Sequence, residues 1–236
     1  MMGQLPTLIL FDIDGTLLRT NNAGRAAFEL ALHRMFGIGD AVANVSFAGA
    51  TDLEVLERVL APLGYSTDRV MAIMPEFVAV MASALTEVLR AYRVEALPGA
   101  LALIRELVQH PAAHIGLVTG NAARTATIKL RAAGFAPEHF AVGAFGDEAV
   151  DRGELAALAL ARAQQHWGRP FPGQRIVIVG DTPQDIICAR AVGGRAVAVL
   201  TGFAPEEMLR REAPDALLRD LSDVQTVIAV LLGEVK

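Results

Sequence analysis

In the stretch Phe11-Asp12-Ile13-Asp14-Gly15-Thr16, two carboxylates flank a single apolar residue, directly after the apolar run Thr7–Phe11. Like charges that close repel, and one of them is driven toward its protonated form. For a buried strand end this is a poor structural choice, but it suits chemistry. Two further apolar runs end in polar groups: Ile115–Val118 leads to Thr119-Gly120-Asn121, and Ile176–Val179 leads to Gly180-Asp181, with Asp185 shortly after. Taken singly, each has an ordinary explanation. Thr119 can cap the helix that starts at Ala122, Asp181 can form a turn, and Asp185 can be a solvated helix residue. Their shared placement carries more weight, because ligands of an open parallel sheet bind beyond the carboxyl ends of its strands.

Those side chains converge only if the runs are neighbouring parallel strands. Thr7–Phe11, Ile115–Val118, Ile176–Val179 and Ala196–Leu200 are continuously apolar rather than alternating, as strands covered on both faces are. Helical patterns separate them at Ala100–Val108, Ala122–Ala133, Leu155–His166 and Pro183–Ala191. Strand–helix alternation implies right-handed crossovers and a doubly wound, Rossmann-like parallel α/β sheet. The segment 21–95 interrupts the alternation and reads as helix throughout: Ala23–Phe36, Asp52–Leu63, Asp68–Met74 and Pro75–Ala91. Ser, Thr and Asp fall near the starts, Gly37 and Gly64 near the stops, and Pro75 suits a first helical position. The expectation is an all-helical cap, 21–95, inserted in a core made of 1–20 and 96–236, with Pro98-Gly99 marking the return.

The chain has 236 residues, of which 53% are hydrophobic, and a net charge of −5. That composition supports a sizeable core and offers no basic stripe for nucleic acid. Positive potential for an anionic substrate must then be local, from a metal, a few Lys or Arg, or helix N-termini. The single cysteine, Cys188, excludes an intrachain disulfide and reads as a small buried hydrophobe. The most apolar stretch, Val70–Leu89, is interrupted by Pro75, Glu76 and Glu87 and reads as no membrane span. No leader pattern is visible at the N-terminus, so a cytoplasmic protein is expected.

The motifs Phe11-Asp12-Ile13-Asp14-Gly15-Thr16-Leu17, Val118-Thr119-Gly120-Asn121 and Val179-Gly180-Asp181-Thr182-Pro183-Gln184-Asp185 resemble those of the haloacid dehalogenase superfamily, in its phosphoglycolate-phosphatase-like branch with a helical cap. The resemblance implies a magnesium-dependent phosphatase. Asp12 would form an aspartyl-phosphate, and Asp14 would serve as general acid and base. Asp12, the backbone carbonyl of Asp14, and Asp181 would hold Mg2+, with Asp185 orienting a metal-bound water or a neighbouring cation. Thr119 and the amides of Gly120 and Asn121 would hold phosphoryl oxygens, helped by the following helix N-terminus. The family's usual lysine is missing where this chain reads Asp151-Arg152-Gly153-Glu154-Leu155. Arg152 is the candidate replacement, always charged and able to bind two oxygens. Lys129 is the runner-up, expected as a solvated mid-helix lysine.

The loop Phe47–Asp52 resembles the family's specificity loop, or else is an interhelix turn with Thr51 or Asp52 as N-cap. Thr51 and Arg25 are the candidate substrate contacts on the cap, Arg25 being otherwise a surface charge. The implied substrate is a small phosphorylated metabolite, and the expected state is a monomer or weak homodimer. Two other readings remain open: phosphoglucomutase-type transfer on the same residues, and a receiver-like phospho-switch. A dehalogenase has no use for Asp14, and a phosphonate hydrolase normally needs a cap lysine, of which residues 21–93 contain none.

Overall fold

The computed structural model describes residues 6–40, 42–43 and 45–234; the expectation about a leader falls largely on residues 1–5, outside them. The apolar runs form the centre of one six-stranded sheet. Strands β1 (Thr7–Phe11), β4 (Ala113–Val118), β6 (Ile176–Gly180) and β7 (Arg195–Val199) are joined by short edge strands β5 (Val142–Ala144) and β8 (Ala216–Leu218). Their order is β5-β4-β1-β6-β7-β8, and every pairing is parallel. The edge strands escaped the sequence reading because three residues are too few to show a run. So did the antiparallel pair β2 (Leu18–Arg19) and β3 (Glu95–Ala96), through which the chain leaves and re-enters the core.

Successive residues of β1 face opposite sides, as a strand requires. Ile9 and Phe11 pack with Leu103, Leu107, Leu130 and Leu231, which come from α4 (Ala100–Gln109), α5 (Ala123–Ala132) and α9 (Val224–Leu232). Leu8 and Leu10 pack with Leu155, Ala159, Ile186 and Leu209, from α6 (Arg152–Trp167), α7 (Pro183–Ala191) and α8 (Glu206–Arg211). Cys188 lies in this second layer, buried. Register does the positioning. Phe11 is level with Leu117 on one side and Val179 on the other. The residues that follow therefore emerge together at one edge, and the Asp12 N–H still donates to Val179 O at 2.9 Å.

Between β2 and β3 lie three helices, α1 (Ala23–Phe36), α2 (Asp52–Leu60) and α3 (Thr67–Val88). They enclose their own apolar cluster around Phe28, Leu32, Leu56, Phe77 and Leu85. Phe28 meets Phe47 and Phe77 edge to face, with ring centroids 5.3 and 4.8 Å apart. α3 corrects the expectation of two helices meeting at Pro75: it is continuous, with Pro75 inside it. An interior proline removes one hydrogen bond to the carbonyl four residues back. Here that carbonyl belongs to Met71, an exposed residue that water can serve, while Met74, Phe77 and Val78 bury themselves on the other face. The 22-residue α3 contains an 18-residue window of mean hydropathy 1.5, so by length and composition alone it could cross a membrane. Its buried face is instead occupied by the cap cluster.

Candidate active site

The turn after β1 is built to gather oxygens. Ile13, between Asp12 and Asp14, is fully buried, and both aspartates line one cavity. Gly15 has φ +86, and a Cβ there would sit 2.5 Å from Asp181 Oδ2; only glycine tolerates both the conformation and the approach. Oxygens of Asp12, Asp181 and Asp185 lie within 4.8 Å of one another, and all three residues are buried. Asp181 is fixed by the Phe203 N–H at 2.8 Å and, more loosely, by Thr16 Oγ1 at 3.4 Å. Asp185 closes a capping box at the start of α7: its Oδ2 accepts from the Thr182 N–H at 3.0 Å and from Thr182 Oγ1 at 2.7 Å. Its Oδ1 accepts from Arg152 Nη2 at 2.5 Å, so both its oxygens are engaged.

Arg152 is the first residue of α6, where the Asp151 side chain caps the helix. Its guanidinium lies 2.5 Å from Asp185 and 3.3 Å from Asp12. Burial opposes its charge, but Asp185 and Asp12 outweigh burial and hold its proton more tightly than usual.

The expectation for Lys129 is overturned. It is buried, its Nζ lies 2.6 Å from Asp14 Oδ2, and it also donates to Asn121 Oδ1. Two signals in the sequence pointed there. Apart from Lys236 it is the only lysine in the chain, and it falls on the helical stripe Ala122, Thr125, Ala126, Lys129, Leu130. Asn121 Nδ2 binds Asp14 Oδ2 at 2.9 Å and Thr119 Oγ1 at 2.8 Å. The Asn121 N–H also points to Thr119 Oγ1, at 3.3 Å, so this amide is not open to a phosphoryl oxygen as expected. Nor is the helix N-terminus: the Ala122 and Ala123 N–H groups donate to Asp52 and Asp147 at 2.7 and 3.0 Å. Asp14 thus stands apart from the triad, held on Oδ2 by Lys129 and Asn121. Thr20 Oγ1 approaches its Oδ1 at 3.4 Å.

Counted together, four carboxylates (Asp12, Asp14, Asp181, Asp185) face two cations (Arg152, Lys129). The imbalance has a measurable sign. Burial pushes Asp12 up to about 7 despite Arg152, with Asp185 adding to the push. Burial, then Asp185 and Asp12, push Asp181 well above the usual carboxylate range. Buried oxygen donors with uncompensated negative charge fit a hard divalent cation, and the triad can hold a metal ion.

A cavity of about 450 Å³ opens from Asp12 and Asp14 toward the cap, lined also by Arg25, Phe47, Asn121, Lys129 and Arg152. Arg25 lines it but is engaged elsewhere: Nη1 and Nη2 donate to Val42 O and Val45 O at 2.5 and 2.9 Å, and the guanidinium lies over the Phe47 ring. It props the cap loop. Thr51 is fully buried and does not line the cavity. As N-cap of α2 it accepts from the Glu54 N–H at 3.0 Å and donates to Val150 O at 3.2 Å. A short side chain with a neighbouring Asp reads equally as cap or ligand, and only packing separates the two. Asp52, which the sequence offered only as part of the cap loop or as an N-cap of its own turn, has a carboxylate that burial pushes up to about 6 against the pull of Lys129; the turn Thr201–Phe203 escaped the sequence reading. In that turn a Cβ at Gly202 would fall 1.8 Å from Asp181, and Phe203 lines the cavity.

Residues 9–190 match the model of the haloacid dehalogenase-like hydrolases, and the chain belongs to that family. Among solved structures it is similar to a hydrolase from Pseudomonas syringae, with TM-score 0.70 and 22% identity, covering 95% of this chain and 99% of that one. It is also similar to a predicted phosphoglycolate phosphatase from Haemophilus somnus 129pt, with TM-score 0.67 and 18% identity, covering 97% and 100%. At these identities the likeness is one of fold. Over 57 residues it is 39% identical to a protein of Caldanaerobacter subterraneus subsp. tengcongensis named "Putative pyrophosphatase PpaX". That match spans 24% of this chain and about a quarter, 26%, of the relative.

Proposed function

We propose that this protein is a phosphatase acting on a small phosphate monoester, with Asp12 as nucleophile, Asp14 as general acid and base, and magnesium as its cation. The observation that carries the reading is the division of labour between the two aspartates. Asp12 belongs to the buried triad and touches Arg152, whereas Asp14 stands outside the triad and touches Lys129. Asp12, Asp181 and the backbone carbonyl of Asp14 would hold the cation, which when bound would neutralise phosphoryl charge. Asp185 is better suited to fixing Arg152 than to direct ligation, since both its oxygens already accept hydrogen bonds.

In the first half-reaction an Asp12 oxygen attacks phosphorus in line, the ester P–O bond breaks, and the leaving oxygen takes a proton from Asp14. Asp14 Oδ2 accepts from Lys129 and Asn121, which leaves Oδ1 to carry that proton. In the second half Asp14 takes a proton from water, the water oxygen attacks phosphorus, and Asp12 is released with inorganic phosphate. Arg152, 3.3 Å from Asp12, meets charge building on the oxygens there. The test is phosphate release from a panel of phosphate monoesters, with and without magnesium, with Asp12→Asn as control. Magnesium-dependent release that vanishes in Asp12→Asn is expected. Release that persists in a deamidation-free Asp12→Asn sample would sink the assignment, and conversion of a sugar phosphate to its isomer without free phosphate would favour a mutase.

A further inference from the structure

A helix leaves its first amides without intrahelical acceptors. α5 starts after Ala122, which has no side chain able to take one. Two carboxylates supply the deficit: Asp147 from the core, at the Ala123 N–H, and Asp52, at the Ala122 N–H. Asp52 is the first residue of α2 in the cap, 70 positions away in sequence. Its contact belongs to a wider seam. The Asp52 N–H donates to Gly120 O at 2.7 Å, and the Leu53 N–H to Gly146 O at 2.9 Å. A Cβ on Gly120 would lie 2.0 Å from Ala50 O, so the phosphate-side turn has no side chain where the cap loop meets it. Core residues Ala122, Ile128 and Val150 join the cap's apolar cluster. α5 also carries Lys129, about two turns on, and Lys129 and Asn121 are the groups that hold Asp14.

We propose that Asp52 is the N-cap of α5 supplied in trans by the cap, so that cap closure and the setting of Asp14 are one event. The inference rests on the phosphatase reading for the role of Asp14. Asp52 is a positioning residue: lifting the cap leaves Asp147 as the only one of the two carboxylates at the start of α5, loosens the turn Thr119–Ala122, and slackens the Lys129–Asn121 hold on Asp14. Holding a half-buried carboxylate at the seam carries a desolvation cost, which keeps closure reversible.

The test is amide exchange by NMR together with turnover of para-nitrophenyl phosphate plus magnesium, on the full chain. In Asp52→Ala, exchange at Ala122 and Leu53 should quicken by about two- to thirty-fold, the range that the loss of a helix cap allows. Amides of β1 should be unchanged, which excludes general unfolding. The turnover number kcat should fall by about tenfold or more, a loss of about 1.4 kcal/mol at the barrier. Asp52→Asn keeps an oxygen for the Ala122 N–H and should recover most of both effects. Wild-type exchange in Asp52→Ala overturns the proposal, whatever the turnover. Faster exchange with undiminished kcat overturns it too. If the wild-type protein leaves the probe untouched, the phosphatase reading fails instead, and the exchange measurement still decides whether Asp52 is the cap of α5.

Discussion

Magnesium and protons should compete for the same oxygens, and the structure sets the size of the competition. Without a cation Asp12 is pushed up to about 7, chiefly by burial. A cation must displace that proton, so its apparent Kd scales as 1 + 10^(pKa − pH) for a single site. Between pH 8 and pH 6 the apparent Kd should therefore weaken by about tenfold from Asp12 alone. Asp181 is pushed in the same direction and should steepen the slope toward two protons per cation. The cation-free protein has a matching stability signature. A carboxyl whose folded pKa is raised is protonated in the folded state while already ionised in the unfolded one, over the window from about 4 to about 7. Stability should then fall as pH rises through that window, by a few kcal/mol, and magnesium should restore it. Isothermal titration of magnesium at several pH values, in buffers of different ionisation heat, counts the protons released. Melting curves in chelator at pH 5 and pH 7.5 test the stability arm. A magnesium affinity flat from pH 6 to pH 8 with no proton release would show that the carboxylates are ionised beforehand, and the electrostatic account of the site would be wrong.

Three further perturbations follow from particular contacts. Lys129→Met keeps the length of the side chain and removes its charge from Asp14; it should lower kcat, though by less than Asp14→Asn, for which a loss of about 10²–10⁴ is expected, and equal rates for Lys129→Met and wild type would return Lys129 to a packing role. Asp185→Ala strips Arg152 of its shortest partner and opens the Thr182 capping box; a loss of about 3–5 kcal/mol should lower the melting temperature by roughly 6–20 °C, and a shift within about a degree would mean that Arg152 finds other compensation. Pro75→Ala restores an N–H inside α3 at an exposed position; differential scanning calorimetry should show a gain of about 1–3 kcal/mol, whereas a lower melting temperature would mean that Pro75 begins a helix after all.

Much of the core was legible because its determinants are local. Thr7–Phe11 and Pro183–Ala191 match β1 and α7 residue for residue, since an apolar run and a proline at a first helical turn carry their meaning within a few residues. Asp12, Asp14, Asp181 and Asp185 were legible for the same reason: each follows a strand whose end could be read, and parallel register brings the ends of neighbouring strands level. The merged helix α3 was not legible. Proline inside a pattern signals a break, and only the burial of Met74, Phe77 and Val78 against the rest of the cap outweighs the lost hydrogen bond.

The roles of Lys129, Thr51, Arg25 and Asp52 separate most clearly what each level decides. Their residue types and their places on helices or loops are in the chain. Which way each one points depends on how α5 packs against α3, and on contacts that join residues 70 to 115 positions apart. A lysine in mid-helix is solvated or buried according to what stands opposite it, and Gly24 of α1 leaves the space into which the Lys129 ammonium fits. The sequence by itself determined the sheet, the inserted helices and the four aspartates, because hydrophobic periodicity and strand-end chemistry are short-range. Only the tertiary structure decided which cation serves which aspartate, because buried charges are placed by three-dimensional neutralisation, which no single segment encodes.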